Sequence, residues 1–297
     1  INVSVYANDG TVDSSTVWST VTTIQNLQPE ISNTILNATN VNNDTNQNLT
    51  LSWTSSDTDN DNVKNITNWY LNGTSITVLN MPFEQHSLSA TNATDYSSFG
   101  NNGTVSGATF NSTGGYGGKG AYQFDGVNDY INISNEQFFD MTDYLTISTW
   151  IYVNSSLATW QGILGKTDGS SASGGWGLLY EGFGGAGSEE IDLWIAGGAS
   201  ISIAKTQNLS PGAWHHIAGV FDTDQTGNDQ VKFYVDGVEG GDYTSAGGLD
   251  SILANNLDVI IGDKSNIGNP FNGNIDDVLV FNRSLTANQI LAIYNNK

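Results

Sequence analysis

The chain has 297 residues, enough for two or three domains, and 38% of them are hydrophobic, so a packed core can form. Its 8 basic against 30 acidic residues give a formal net charge of −22, which excludes nucleic acid as a partner and disfavours anionic membrane surfaces. The chain has no cysteine, so disulfides and thiolate chemistry are impossible, and no apolar run approaches the roughly 18 residues of a membrane span, so we expect no membrane insertion within this chain.

The first 27 residues predict a β-hairpin. Apolar and polar residues alternate in INVSVYA (1–7) and again in STVWSTVTTI (15–24), as they do in strands with one buried face. Between them, NDGT (8–11) is a strong turn signal, because Asn, Asp and Gly accept the positive φ of tight hairpin turns. A linker with a proline follows.

Residues 28–80 predict further strands, in NLTLSWTSS (48–56) and ITNWYLNGTSI (66–76), with an acidic loop between them. This stretch resembles the opening strands of the immunoglobulin-like repeats of archaeal and bacterial surface proteins. The terminal hairpin at 1–27 resembles the last two strands of such a repeat, yet it stands first.

That order implies that the chain holds no contiguous, complete immunoglobulin-like sandwich. A sandwich that lacks strands leaves unpaired edges, and such edges accept a strand from another molecule. Two arrangements stay open at this point. The hairpin completes the sandwich of a neighbouring copy, or it folds back onto residues 28–80 of its own chain.

The acidic loop DTDNDN is a candidate calcium site through Asp57, Asp59 and Asp61. Clustered carboxylates repel one another unless a cation or water separates them, and Ca²⁺ prefers oxygen ligands. The loop is not an EF-hand, because Asn62 and Asn68 stand where that motif needs Gly and Glu. The alternative is a solvated turn.

From residue 81 the pattern changes to short strands separated by Gly or Asp turns, which predicts a two-sheet jelly-roll sandwich and makes the whole chain all-β. Five motifs carry a resemblance to the laminin-G-like, concanavalin-A-like jelly-roll domain: AYQFDGVNDYINI, LTISTWIYV, WHHIAGVFD, KFYVDGV and FNGNIDDVLVFNRSLTANQI. We assign residues 81–297 to this domain, ending in a short helix that Ser284 or Thr286 caps.

The resemblance also implies a structural Ca²⁺. Asp125 and Asp276, with Asn128 and Asp277 nearby, match positions where this family often binds the ion. The alternative is that these side chains cap strands and turns. Calcium is the only cofactor that we expect.

We expect no catalysis. Jelly-roll glucanases carry E-x-D-x-x-E, which places two catalytic carboxylates on one strand. Glu190 and Asp192 fit this motif, but Ile195 replaces its last glutamate. His215 and His216 are adjacent on a predicted strand, so they point to opposite faces and cannot form a two-histidine metal site.

The alternating pattern places most of the later tryptophans in the core and leaves open which of them could stack on a sugar: Trp150, Trp160, Trp176, Trp194 and Trp214.

Asn-x-Ser/Thr triplets are frequent, and together with the acidity they favour an extracellular or cell-surface glycoprotein. The candidate glycosylation sites are Asn2, Asn37, Asn43, Asn48, Asn65, Asn72, Asn92, Asn102, Asn111, Asn132, Asn154, Asn208 and Asn282.

Together these features predict a non-enzymatic extracellular structural protein. In the leading hypothesis it is one subunit or repeat of a surface filament, assembled head to tail with copies of itself by β-strand complementation. The alternative is a carbohydrate-binding adhesin module on the cell surface. A third hypothesis, a glycoside hydrolase, is kept only because the jelly-roll fold hosts such enzymes, and fold alone does not give function.

Overall fold

The computed structural model describes residues 4–5, 15, 17–18, 27–38, 49–61, 63–84, 91–134, 136–154, 160–182, 189–198, 201–206, 209–240, 242–245, 248–264 and 268–295. The chain divides into two units, Ile1–Asn65 and Ile66–Lys297.

The first unit contains two separate two-stranded antiparallel sheets. Its strands are β1 (Ser4–Val5), β2 (Val17–Trp18), β3 (Glu30–Ala38) and β4 (Leu49–Ser56). β1 pairs with β2 in antiparallel fashion, with Ser4 opposite Trp18 and Val5 opposite Val17, as in a hairpin; the predicted turn NDGT lies outside the described residues. The β3–β4 ladder is interrupted by one irregularity between Ser32 and Ile35.

One face of the β3–β4 sheet is apolar. Alternate residues of a strand point the same way, so Leu49, Leu51, Trp53 and Ser55 of β4 share one face. Leu36 and Ile31 of β3 lie on that same face, because they pair with Leu51 and Ser55. Ile31, Leu36 and Leu49 are 68%, 57% and 55% exposed. A two-stranded sheet is marginally stable alone, so this face is a surface that further packing would stabilise.

The second unit is built almost entirely from strands, followed by one helix, α1 (Ala287–Asn295). In chain order the strands are β5 (Tyr70–Leu71), β6 (Thr74–Ser75), β7 (Leu79–Met81), β8 (Asn92–Ala93), β9 (Gly103–Ser106), β10 (Thr109–Asn111), β11 (Ala121–Asp125), β12 (Tyr130–Ile133), β13 (Tyr144–Val153), β14 (Trp160–Lys166), β15 (Gly175–Gly182), β16 (Glu189–Ala196), β17 (Ile201–Thr206), β18 (Trp214–Asp222), β19 (Val231–Val235), β20 (Val238–Glu239), β21 (Asp242–Ser245), β22 (Val259–Ile261) and β23 (Asn272–Phe281).

Two large antiparallel sheets form the sandwich. One is eight-stranded, in the order β10-β11-β23-β13-β18-β19-β20 with β7 paired to β23; the other is nine-stranded, in the order β21-β17-β16-β15-β14-β22-β12-β9-β8. The core lies between them and includes Ile147 and Phe233 from the first sheet and Leu178 and Leu193 from the second. This confirms the predicted all-β jelly roll.

The helix α1 packs on the outer face of the eight-stranded sheet through Ile290, which joins Val220 in a second apolar cluster. Its start is fixed by a capping box. The Gln289 amide N–H donates to Thr286 Oγ1 at 3.4 Å, and the Thr286 N–H donates to Gln289 Oε1 at 2.8 Å. Of the two predicted caps, Thr286 is therefore the one used.

The jelly roll begins earlier than predicted. The sequence pattern places residues 66–80 in the immunoglobulin-like stretch 28–80, but they belong to the second unit, and β7 joins the eight-stranded sheet through β23. The reason is long-range pairing, which sequence alternation does not reveal. The immunoglobulin-like character of residues 1–27 and 28–65 stays a prediction. Across the described part of the chain, no helix is long and apolar enough to cross a membrane.

Candidate functional site

Three carboxylates and one lysine meet on the outer face of the nine-stranded sheet, the face turned away from the core. Glu181 on β15 pairs with Glu190 on β16, and Asp192, two residues further along β16, pairs with Lys205 on β17. Since cross-strand partners lie side by side and alternate residues share a face, register alone brings these four side chains together. We call them the carboxylate–lysine cluster.

The Lys205 ammonium sits among the three acids. Its Nζ lies 2.6 Å from Glu181 Oε2, and 3.4 Å from both Glu190 Oε2 and Asp192 Oδ2. One oxygen from each acid lies within 4.8 Å of the other two. Like charges directly opposite one another in a sheet are destabilising, so one lysine offsets the repulsion of up to three negative charges.

Asp192 is the least solvated member of the cluster. Its side chain is 0% exposed, neither carboxylate oxygen accepts a hydrogen bond of normal geometry, and the Lys205 ammonium lies 3.4 Å from Oδ2. Burial raises the pKa of Asp192 to about 7, against the charge of Lys205, which lowers it. Although burial by itself lowers the pKa of Lys205, the hydrogen bond to Glu181 and the acidic charges raise it overall. The cluster is therefore short of positive charge at neutral pH.

Trp160 begins β14 beside the cluster and pairs with Glu181. Its ring is half-buried and packs against a small apolar group on the same face. The ammonium groups of Lys205 and Lys264 each lie 6.0 Å from a Trp160 ring centroid, within the range of cation–π attraction. An aromatic side chain beside a few polar groups is a common composition for a ligand site.

The other tryptophans separate clearly. Trp150, Trp176 and Trp194 are buried. Trp214 is half-buried but belongs to the eight-stranded sheet, where its ring lies 5.8 Å from that of Tyr152. Of the five tryptophans considered from the sequence, Trp160 alone is both partly exposed and adjacent to the carboxylate–lysine cluster.

The glucanase-like segment does not form the expected row of carboxylates. β15 and β16 pair residue by residue without a bulge, so Ile195 points into the core, away from the face of Glu190 and Asp192. The third carboxylate on that face is Glu181. Sequence spacing did not indicate Glu181 or Lys205, because they come from neighbouring strands.

The predicted calcium loop at Asp57, Asp59 and Asp61 brings its three carboxylates together, with oxygens within 4.8 Å. Asp57 Oδ1 accepts the N–H groups of Asp59 at 3.0 Å and Asp61 at 3.2 Å. A hydrogen bond between the Asp57 and Asp59 side chains raises the pKa of Asp57 and lowers that of Asp59. A turn in water accounts for these contacts as well as an ion does, so calcium binding stays a prediction.

The second predicted calcium group is divided by the sheet register. Asp125 lies opposite Asn272, so Asp276 is four residues, about 13 Å, further along β23. Asp125 and Asn128 are exposed, whereas Asp276 is buried and accepts the N–H groups of Tyr116 at 3.1 Å and Asp277 at 2.7 Å. One ion shared by Asp125 and Asp276 does not fit this register. Calcium at either end stays a prediction.

The two histidines are separated as expected. His215 Nδ1 lies 3.0 Å from Asp236 Oδ2, while His216 Nε2 lies 2.8 Å from Ser148 Oγ. Their side chains occupy opposite faces of β18, so they do not share a ligand.

Eight candidate glycosylation sites are exposed, namely Asn37, Asn65, Asn72, Asn92, Asn102, Asn111, Asn154 and Asn282. Asn132 is half-buried, and Asn2, Asn43, Asn48 and Asn208 lie outside the described residues. Glycosylation itself stays a prediction.

In a glycosylating host we expect Asn72 to be modified and Asn132 to stay unmodified. Asn72 is exposed in a turn with a φ of 52°. Asn132 lies in β12 between β22 and β9, and its Nδ2, the atom that a glycan bonds, donates to Asp258 Oδ2 at 3.0 Å. Site-resolved glycopeptide mass spectrometry measures both occupancies. Equal occupancy at the two sites would contradict this reasoning.

Comparison with known families agrees with the fold. Residues 125–291 match the Laminin_G_3 family, described as the concanavalin A-like lectin/glucanases superfamily. This match covers more than half of the chain, and the protein belongs to that family. A search of curated proteins found no match.

Several solved structures share the fold at low sequence identity. The binding domain of Paraclostridial Mosquitocidal Protein 1 is 16% identical with a TM-score of 0.55, and the botulinum neurotoxin serotype G binding domain is 18% identical with a TM-score of 0.55. Each alignment covers 74% of this chain and about half of the toxin domain (52% and 51%).

A third structure is matched over nearly its whole length. Domain 4 of AbnA, a GH43 extracellular arabinanase from Geobacillus stearothermophilus, in complex with arabinotriose, is 17% identical with a TM-score of 0.53. The alignment covers 74% of this chain and 99% of that one.

Proposed function

We propose that this protein is a non-catalytic, extracellular carbohydrate-binding module whose site lies on the outer face of the nine-stranded sheet. The observation that carries this proposal is the position of Trp160. Its half-buried ring lies beside Glu181. The ammonium groups of Lys205 and Lys264 each lie 6.0 Å from a ring centroid. A ring offers a sugar an apolar face, and the charged groups offer hydrogen bonds to its hydroxyls.

The comparisons support the same proposal by analogy. The arabinanase domain, which the alignment covers almost completely, is described in complex with arabinotriose, and the toxin structures are described as binding domains. An extracellular location agrees with those descriptions, with the acidity and with the exposed glycosylation triplets. A fold shared at this level of identity does not transfer a ligand, so the sugar must be found by experiment.

We expect Trp160→Ala to lower affinity for the bound glycan by about fivefold or more, because stacked aromatic contacts contribute on the order of 1 kcal/mol beyond burial. A glycan array that includes arabino-oligosaccharides, read with and without EDTA, identifies the sugar, and calorimetry compares the variants. Trp214→Ala is the matched control, since it removes a half-buried tryptophan from the other sheet.

Two results would oppose the proposal. One is loss of binding in Trp214→Ala but not in Trp160→Ala. The other is turnover of the bound sugar, detected as new reducing ends, which would make the protein a glycoside hydrolase rather than a binding module.

A second function, assembly with copies of itself by strand complementation, is favoured by the first unit. The apolar face of the β3–β4 sheet is exposed at Ile31, Leu36 and Leu49. Among the described residues, β1 and β2 form a sheet of their own, and a sheet edge without a neighbouring strand can accept one from another chain.

If copies of the chain assemble through this face, Leu36→Asp will raise the concentration needed for assembly by about tenfold or more, since it places a charge in an apolar contact. Ile35→Asp is the matched control, because Ile35 is 49% exposed and lies opposite Ser52 on the other face. Light scattering and electron microscopy report assembly. A parent protein that stays monomeric, or equal effects of the two variants on assembly, would contradict this second function.

A further inference from the structure

We propose that the carboxylate–lysine cluster binds a divalent cation of the calcium class, with Glu181, Glu190 and Asp192 as its oxygen ligands. In the ion-free protein, the Lys205 ammonium occupies the position that the cation would take. The site does not depend on the proposed sugar binding. It also differs from the calcium positions expected from the sequence, none of which lies on these strands.

The arrangement of donors is the first argument. Three carboxylates on adjacent strands place one oxygen each within 4.8 Å of the others, and hard oxygen donors of this kind are what Ca²⁺ prefers. Lys205 Nζ lies 2.6 to 3.4 Å from an oxygen of each of the three acids. A positive charge therefore already lies between the three carboxylates.

The state of Asp192 is the second, independent argument. Its carboxylate is 0% exposed and accepts no hydrogen bond on either oxygen. A buried carboxylate without hydrogen-bond donors is unfavourable unless a charge partner compensates it. The single lysine is shared among three acids, so one positive charge faces up to three negative charges.

Lys205 can leave the cluster without losing all favourable contacts. Its side chain is 23% exposed, and its ammonium lies 6.0 Å from the Trp160 ring, so water and the aromatic face are both within reach. A divalent ion that replaces it brings twice the charge to the same oxygens. Cation binding and lysine occupancy therefore compete, and this competition distinguishes the proposal from an ordinary structural salt bridge.

Terbium luminescence tests the competition directly. The full-length chain carrying Asp57→Asn, Asp59→Asn and Asp61→Asn, which removes the exposed acidic loop as a binder, is stripped with EDTA and titrated with Tb³⁺ under tryptophan excitation. Trp194, two residues from Asp192 on the same face of β16, is placed to sensitise the bound ion. We expect saturable emission that added Ca²⁺ displaces.

Two further variants give opposite shifts. In the same background, Asp192→Asn is expected to weaken Tb³⁺ binding by about tenfold or more, and Lys205→Met to tighten it by about tenfold, because a competing charge is gone. Lys205→Gln replaces Lys205→Met if the latter does not fold. Asp229→Asn, which removes one exposed carboxylate elsewhere, controls for net charge and should change affinity less than twofold.

The proposal is overturned if the background protein gives no saturable emission. It is equally overturned if Asp192→Asn behaves like Asp229→Asn, or if the neutral Lys205 variants bind no more tightly than the background protein.

Discussion

Replacing Trp176 with alanine is expected to lower the free energy of unfolding of the jelly roll by about 3 to 5 kcal/mol. The side chain is 1% exposed at the centre of the core between the two sheets. Its Nε1 donates to the backbone carbonyl of Phe139 at 3.1 Å, so the substitution leaves a large cavity and a buried carbonyl without its donor. Both effects act in the same direction.

Thermal unfolding measures this change as a shift of the midpoint by roughly 10 °C, since each kcal/mol moves a domain of this size by about 2 to 4 °C. Trp160→Ala is the comparison, because that ring is only half-buried. We expect its midpoint to fall by less than half as much. A loss in Trp160→Ala as large as that in Trp176→Ala would show that the outer face contributes to stability as strongly as the core.

In buffer that contains EDTA, Asp192→Asn is expected to gain stability relative to the parent protein as the pH rises. Burial lifts the pKa of Asp192 from 3.8 in the unfolded chain to about 7 in the folded one. Between these values the folded state holds a proton that the unfolded state has lost, so the parent loses stability as pH rises through this window and changes no further above it. The asparagine variant has no such proton.

Chemical denaturation at pH 5 and pH 8 measures the difference. The gap between the two proteins is expected to move in favour of Asp192→Asn by about 3 kcal/mol, reduced to the extent that Lys205, Glu181 and Glu190 rearrange. Acids outside the carboxylate–lysine cluster are the same in both proteins, so their effects cancel in the comparison. Parallel pH profiles would mean that Asp192 keeps an ordinary pKa in the folded protein.

Local sequence patterns were sufficient for features that depend on nearby residues. Alternation around NDGT predicts antiparallel pairing of the two flanking segments, and Val5 does lie opposite Val17. The helix cap was predicted from Ser284 and Thr286, and the Thr286–Gln289 hydrogen bonds confirm the second. These features involve residues close in the chain, so the local sequence is enough to predict them.

The sequence also predicts which side chains share one face of a strand, but it does not predict which residues of the neighbouring strands lie opposite them. It put Glu190 and Asp192 on one face of a strand, and suggested a glucanase motif that lacked its last glutamate. It did not indicate that Glu181 and Lys205 flank them, because cross-strand neighbours depend on register. For the same reason Asp125 and Asp276 were grouped, although the ladder between β11 and β23 holds them four residues apart.

By itself, then, the sequence determined an acidic, cysteine-free, all-β chain with a jelly roll toward its C-terminus, because composition, alternation and turn residues act locally. Only the tertiary structure decided where that jelly roll begins, which tryptophan stands beside charged groups, and which carboxylates share a lysine. Those properties follow from the hydrogen-bonded register between strands that are far apart in the chain. They also follow from burial, which raises the pKa of Asp192 to about 7.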